Sequence, residues 1–123
     1  MSPEVYKLIH LAGIFMVFMS IGGLALHALN GGTKESNGAR RLVSITYGVG
    51  LLLILLGGFG WLGAAGVMAA GMPGWTWAKL GIWLAVGALL ALPTVKPELS
   101  RIAWIAAPIL GILGAWLART KPF

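Results

Sequence analysis

Four long apolar segments make up most of this sequence, running from about 5 to 29, 42 to 67, 75 to 92 and 102 to 118. Each has at least 17 residues, enough for a helix to cross roughly 30 Å of hydrocarbon at about 1.5 Å per residue. A backbone in lipid must satisfy its own hydrogen bonds, so the segments predict four transmembrane helices. Because the connections are short, we expect a single domain over residues 1–123, an all-α, up-and-down four-helix bundle.

The composition favours lipid as the surrounding medium. Hydrophobic residues make up 59% of the chain and charged residues 10%, more apolar side chain than a soluble domain of this size can bury. The net charge of +6 comes from basic residues scattered at segment ends, which predicts no nucleic-acid partner. Cysteine is absent, which excludes disulfides, iron–sulfur clusters and covalent haem attachment. Aspartate is absent too, and Glu4, Glu35 and Glu98 lie outside the segments, so no carboxylate pair is available for catalysis.

The breaks between the segments set the topology. NGGTKESNGARR (30–41) predicts a polar loop, GMPG (71–74) a tight turn, and Pro93 and Pro97 bracket the third connection. Pro108 lies inside the fourth segment and predicts a kink there. The first segment is expected to stay as an anchor, because it is long for a signal peptide and Glu4 precedes it. Five basic residues on the loop side against three at the termini favour both termini outside the cytoplasm.

One glycine motif is a decoy. GFGWLG (58–63) matches G-x-G-x-x-G, but a dinucleotide site needs a strand before it and a helix opening at its glycines. This copy lies near the far end of a predicted membrane helix. Its glycines and their neighbours are instead expected to let helices approach closely, or to leave room for a flat ligand. The glycines concerned are Gly22, Gly23, Gly57, Gly58, Gly60, Gly63 and Gly66.

A few polar side chains lie within or beside the apolar segments, and such residues are candidates for function. They are Lys7, His10, Ser20, His27, Ser44, Thr46, Tyr47, Lys79 and Trp83. We expect His27 to be structural and to bond to a side chain at the start of the second helix, Ser44, Thr46 or Tyr47. Lys79 lies within about the first turn of the third helix, where the helix dipole and desolvation both disfavour an ammonium. A neutral amine can bind a metal; the alternative is that Lys79 extends to the headgroups.

Helix geometry pairs His10 with Lys79. The first and third helices of an up-and-down bundle are parallel, and both residues then lie roughly 6–8 Å below the same surface. Trp83 is one turn below Lys79 and Gly13 nearly one turn below His10, an aromatic wall and a gap that suit a porphyrin ring. His10 and His27 are 17 residues apart, about 25 Å along the helix, so they cannot serve one site.

Two short stretches also carry a family resemblance. KLIHLAG (7–13) resembles the K-x-x-H-x-x-G opening of small bacterial membrane proteins that include the copper-resistance proteins of the CopD type and the membrane protoporphyrinogen IX oxidases of the HemJ type. GWTWAKLGIWL (74–84) is similar to the stretch of the oxidases in which a lysine enters a helix. The resemblance implies a bacterial inner (cytoplasmic) membrane and a b-type haem held by His10 and Lys79, with Gly13 and Trp83 beside it. The oxidases' later Tyr-x-Pro-Arg run is absent, since residues 15–29 read FMVFMSIGGLALHAL.

Two functions remain open at the level of sequence. The first is a haem b-binding membrane protein with His10 and Lys79 as ligands of the iron, acting in porphyrinogen oxidation or electron transfer. The second is a non-catalytic accessory or structural subunit of a larger membrane complex or homo-oligomer, in which the glycine faces are docking surfaces. A small multidrug exporter would need a carboxylate in the first segment, and the segment has none.

Overall fold

The computed structural model describes residues 1–123 and is entirely helical. Its α-helices are α1 (Pro3–Leu29), α2 (Arg40–Ala64), α3 (Gly74–Val95) and α4 (Ser100–Thr120), and a short 3₁₀ turn, Pro97–Leu99, precedes α4. The prediction of an all-helical chain is confirmed. All four helices are long and apolar enough to cross a membrane, with mean hydropathies between 1.6 and 2.1.

The helix ends differ from the predicted limits by a few residues, for physical reasons. At the end of α2, Gly66 adopts a left-handed conformation (φ 73°), and the Val67 N–H donates to the Leu62 carbonyl at 3.1 Å. This Schellman motif ends the helix at Ala64, three residues earlier than expected. In α3 the helix continues through Pro93 to Val95. Pro93 lacks the N–H that would bond to the Leu89 carbonyl, but the last turn is still closed by the Lys96 N–H, which donates to the Leu92 carbonyl at 2.8 Å.

The bundle is organised around α1. Along its length α1 packs against α2, and it also contacts α3 and α4, which pack against each other. The α2 backbone stays apart from those of α3 and α4 along most of its length, but at one end Leu62 of α2 packs in a second buried cluster with Trp75 and Leu117. The main core therefore lies between α1, α3 and α4. It consists of Val17, Ile21, Val86, Leu90, Ala103 and Ala107.

Glycines allow α1 and α2 to meet backbone to backbone. A Cβ atom at Gly13 would lie 2.6 Å from the Gly50 carbonyl oxygen, and one at Gly57 would overlap the backbone of His10. Gly60 has the Tyr6 ring against it in the same way. Close helix approach is thus confirmed for Gly57 and Gly60, whereas Gly23 and Gly63 have no neighbour within 4 Å.

The outer surface of the bundle is apolar. Only 18 of the 123 residues are buried, so most apolar side chains face outward. Each helix contributes large exposed side chains, for example Phe15 on α1, Leu52 on α2, Leu84 on α3 and Ile112 on α4.

Candidate functional site

A cavity of about 410 Å³ opens at one end of the bundle. It is lined by the first turns of α1 and α3 and the last turns of α2 and α4, so helices that follow each other in sequence run antiparallel. The volume falls within the roughly 300–1,000 Å³ range of small-molecule sites. The cavity lies between α2 and α3, whose backbones make few close contacts.

His10 and Lys79 both line this cavity. They come from the parallel helices α1 and α3, as the depth comparison predicts. Each is partly buried. The structure therefore brings together the two side chains that the sequence singled out.

The His10 ring is fixed by α2. Its Nδ1 lies 2.8 Å from the Ile54 carbonyl oxygen, and because a carbonyl can only accept, Nδ1 carries the proton and donates it. A neutral ring in this tautomer keeps its lone pair on Nε2, the arrangement found in metal-binding histidines. The ring lies beside Ile54 because Gly57 lets the two helices approach closely at His10, where a Cβ on Gly57 would overlap the His10 backbone.

Lys79 has no counter-ion in the cavity. None of the chain's three glutamates is among the lining residues, whereas Lys7, Arg119 and Lys121 are. The chain also contains no group of three or more histidine, cysteine, aspartate or glutamate side chains that could hold a bare metal ion. One imidazole and one amine can hold only a metal that brings further ligands of its own.

Of the two residues predicted beside His10 and Lys79, Trp83 lines the cavity and Gly13 does not. The Trp83 indole lines the cavity, and its Nε1–H donates to the Leu51 carbonyl at 3.2 Å, which ties α3 to α2 below the cavity. Gly13 does not line the cavity. The gap expected beside His10 is filled by the α2 backbone at Gly50. Glycine at both positions allows the two helices to be in contact there, which leaves no space for a ligand.

Several residues at the mouth of the cavity were missed by sequence reasoning. The Lys121 ammonium lies 6.0 Å from the Trp61 ring centroid and 5.6 Å from that of Trp75, within cation–π range. Thr76 also lines the cavity; it is 7% exposed, and its hydroxyl has no hydrogen-bond partner. Tryptophan and basic side chains alternate around the mouth, and this pattern is the signal that could have identified these residues in the sequence. However, the residues are spread over three helices.

His27 lies at the opposite end of the bundle, beside a pocket of only about 20 Å³. Its Nε2 donates to the Thr33 carbonyl at 2.9 Å and lies 3.2 Å from the Ser36 hydroxyl. The predicted partners at the start of α2 are wrong, because the loop folds back over the end of α1 at Gly32, whose missing side chain leaves room for the ring. The prediction that the two histidines belong to separate sites is confirmed.

The GFGWLG motif lies within α2, with no strand before it, so the dinucleotide interpretation is excluded by its context. No protein-family model, curated protein or solved structure matches the chain.

Proposed function

We propose that the chain is a haem b-binding integral membrane protein in which His10 and Lys79 would hold the iron. The observation that carries the proposal is the cavity that both side chains line, with the His10 tautomer fixed by Ile54. The resemblance of residues 7–13 and 74–84 to haem-associated motifs points the same way.

The donor set suits a metal held in a macrocycle. His10 and Lys79 would supply two nitrogen donors from parallel helices, and a porphyrin would supply the other ligands of the iron, so the lack of a third protein ligand is no obstacle. The aromatic side chains Phe59 and Trp83 line the cavity and provide apolar contacts for a flat ring.

Bound haem b supplies one-electron redox chemistry, and the chain's own residues orient it and limit water. We favour electron transfer over porphyrinogen oxidation. No carboxylate and no second histidine lines the cavity, so once His10 and Lys79 serve as ligands, neither a carboxylate nor an imidazole is left as a general base for a substrate. Electron transfer requires none.

We also propose insertion in the bacterial inner (cytoplasmic) membrane as a multi-pass protein. Four helices of suitable length and the exposed apolar side chains on every helix support insertion. The distribution of basic residues favours both termini outside the cytoplasm, which would place the mouth of the cavity on that side.

The visible spectrum of the protein, purified in detergent from haem-supplied cells, tests the proposal. A Soret band with close to one haem per chain is expected, and it should persist in His27→Gln. A colourless protein that takes up no added haem would contradict the proposal and favour the accessory subunit.

A further inference from the structure

The mouth of the cavity forms a second binding site, for which haem is not required. We propose that it binds the phosphate group of a membrane phospholipid, through the N-terminus of α3, the hydroxyl of Thr76 and the basic side chains Lys7, Arg119 and Lys121. All four of these side chains line the same cavity.

The first observation is the Thr76 hydroxyl. Thr76 is 7% exposed, and its Oγ1 neither donates nor accepts a hydrogen bond within the chain. A buried hydroxyl without a partner is costly, and threonine hydroxyls in helices commonly avoid that cost by bonding to the carbonyl four residues earlier, as Thr46 and Thr120 do here. Thr76 is the third residue of α3, so the residue four earlier lies outside the helix, and its hydroxyl makes no such bond. A ligand that accepts its proton would satisfy it.

The second observation is the start of α3. The helix begins at Gly74 after Pro73, with no side-chain cap and no acidic residue in its first turn. The Gly74 N–H donates to the main-chain oxygen of Phe123 and the Thr76 N–H to the Pro73 carbonyl, both at 3.1 Å, which leaves the Trp75 N–H of the first turn without a partner in the chain. Such a terminus attracts phosphate.

The third observation is uncompensated positive charge. Lys7, Lys79, Arg119 and Lys121 line the cavity, and no glutamate does. Low-dielectric aromatic walls focus the field of these charges on the space between them. An anion would relieve the mutual repulsion of the basic side chains.

The position of Lys121 links these features. The residue has φ 46° just after α4, its Nζ donates to the Ala118 carbonyl at 2.9 Å, and its ammonium lies over Trp75, the neighbour of Thr76 in sequence. The basic group is thus held beside the first turn of α3 before any ligand arrives.

The surroundings favour a lipid phosphate over free phosphate. The mouth lies at the helix ends, where the headgroups of a bilayer would be. The rings of Trp61 and Trp75 lie beside Lys121 at the mouth, and their apolar faces would contact the glycerol and acyl groups of a lipid, whereas free phosphate would gain nothing from them.

Lipid binding to the detergent-solubilised protein, measured by native mass spectrometry, tests the proposal. Phosphatidylglycerol is expected to bind, and diacylglycerol, which lacks the phosphate, to bind much more weakly. Thr76→Val should weaken phosphatidylglycerol binding about ten-fold through loss of a hydrogen bond to a charged group. Thr76→Ser should retain it. Thr94→Val is the matched control, because Thr94 is an exposed threonine at the other end of α3.

Charge and source are tested in the same way. Lys121→Gln should weaken binding several-fold and lower its salt dependence, while Lys96→Gln at the opposite end should change neither. His10→Gln should keep the lipid even if it loses haem, which separates this site from the proposed function. Displacement of the lipid by millimolar inorganic phosphate would support the oxyanion site but assign it to free phosphate. Equal binding of diacylglycerol and phosphatidylglycerol, or unchanged binding in both Thr76→Val and Lys121→Gln, would overturn the proposal.

Discussion

The two histidines lie at opposite ends of the bundle, and their rings differ in the carbonyl they bond to and in the size of the pocket beside them. His27 bonds to a carbonyl only six residues away and sits beside a pocket of about 20 Å³. His10 bonds to a carbonyl 44 residues away on another helix and lines a cavity of about 410 Å³. Both rings are anchored to backbone. Only His10 combines that anchor with open space and a second potential ligand, Lys79.

The comparison shows how one residue type acquires different roles. A histidine that orders a local loop uses its hydrogen bond to shape the chain around itself. A histidine anchored from a neighbouring helix is oriented without being enclosed, and its free nitrogen can meet a ligand. The difference arises because α1 and α2 are in backbone contact beside His10, whereas a loop covers His27.

The largest expected effect separates the two histidines directly. His10→Gln should abolish haem binding, since an amide does not replace the imidazole as an iron ligand. His27→Gln should leave the Soret band unchanged. Absorbance of both variants, normalised to protein, gives the result; bleaching by His27→Gln alone would move the site to the other end of the bundle.

The two ends are also expected to lie on opposite sides of the membrane. Cysteines introduced for Lys34 and Lys96, which are exposed at the loop end, should react with an impermeant thiol reagent from one side only. A cysteine at Arg119, at the cavity end, should react only from the other side. The chain has no cysteine of its own, so labelling is unambiguous. Reaction of Lys34→Cys and Lys96→Cys from different sides would contradict the bundle topology.

The close contact that holds His10 is expected to be sensitive to a single methyl group. Gly57→Ala should destabilise the fold by about 1–3 kcal/mol, because the added Cβ overlaps the His10 backbone. Thermal unfolding in detergent measures the loss. Gly81→Ala is the control, since no atom lies within 4 Å of its would-be Cβ; equal stability of the two variants would argue against the backbone contact.

The smallest effect is expected at the loop end. His27→Ala removes a side-chain hydrogen bond to Thr33 on an exposed loop, which should cost about 0.5–1.5 kcal/mol. Urea or thermal unfolding of the detergent-solubilised variant would measure it. A loss as large as that of Gly57→Ala would mean that the two ends of the bundle are equally critical for folding.

Much of this architecture could be predicted because it depends on local properties. The length of an apolar segment predicts a membrane-spanning helix, and the rise per residue predicts that His10 and Lys79 lie at the same depth in parallel helices. The sequence predicts Gly13 beside the cavity because the helical period gives its position along the axis of α1. The period does not show which neighbouring helix the residue faces. Its partner, Gly50, lies on α2.

The mouth of the cavity could not be predicted in the same way. It depends on Lys121, which adopts a left-handed conformation after α4 and lies over Trp61 and Trp75 on two other helices. Nothing in its sequence neighbourhood encodes that contact. The partner of His27 was likewise missed, because it depends on how a polar loop folds back on α1.

Replacement of Lys79 tests the central claim most directly. Haem titrations of Lys79→Arg and Lys79→Met would be followed by absorbance across a pH series. Arginine keeps the positive charge but stays protonated and cannot ligate iron, so Lys79→Arg should lose the bound haem. Lys79→Met should retain haem with an altered spectrum, because a thioether is an iron ligand. Acidification should displace the wild-type lysine, since protons compete with the metal for the amine. An unchanged Soret band in Lys79→Arg would contradict the account.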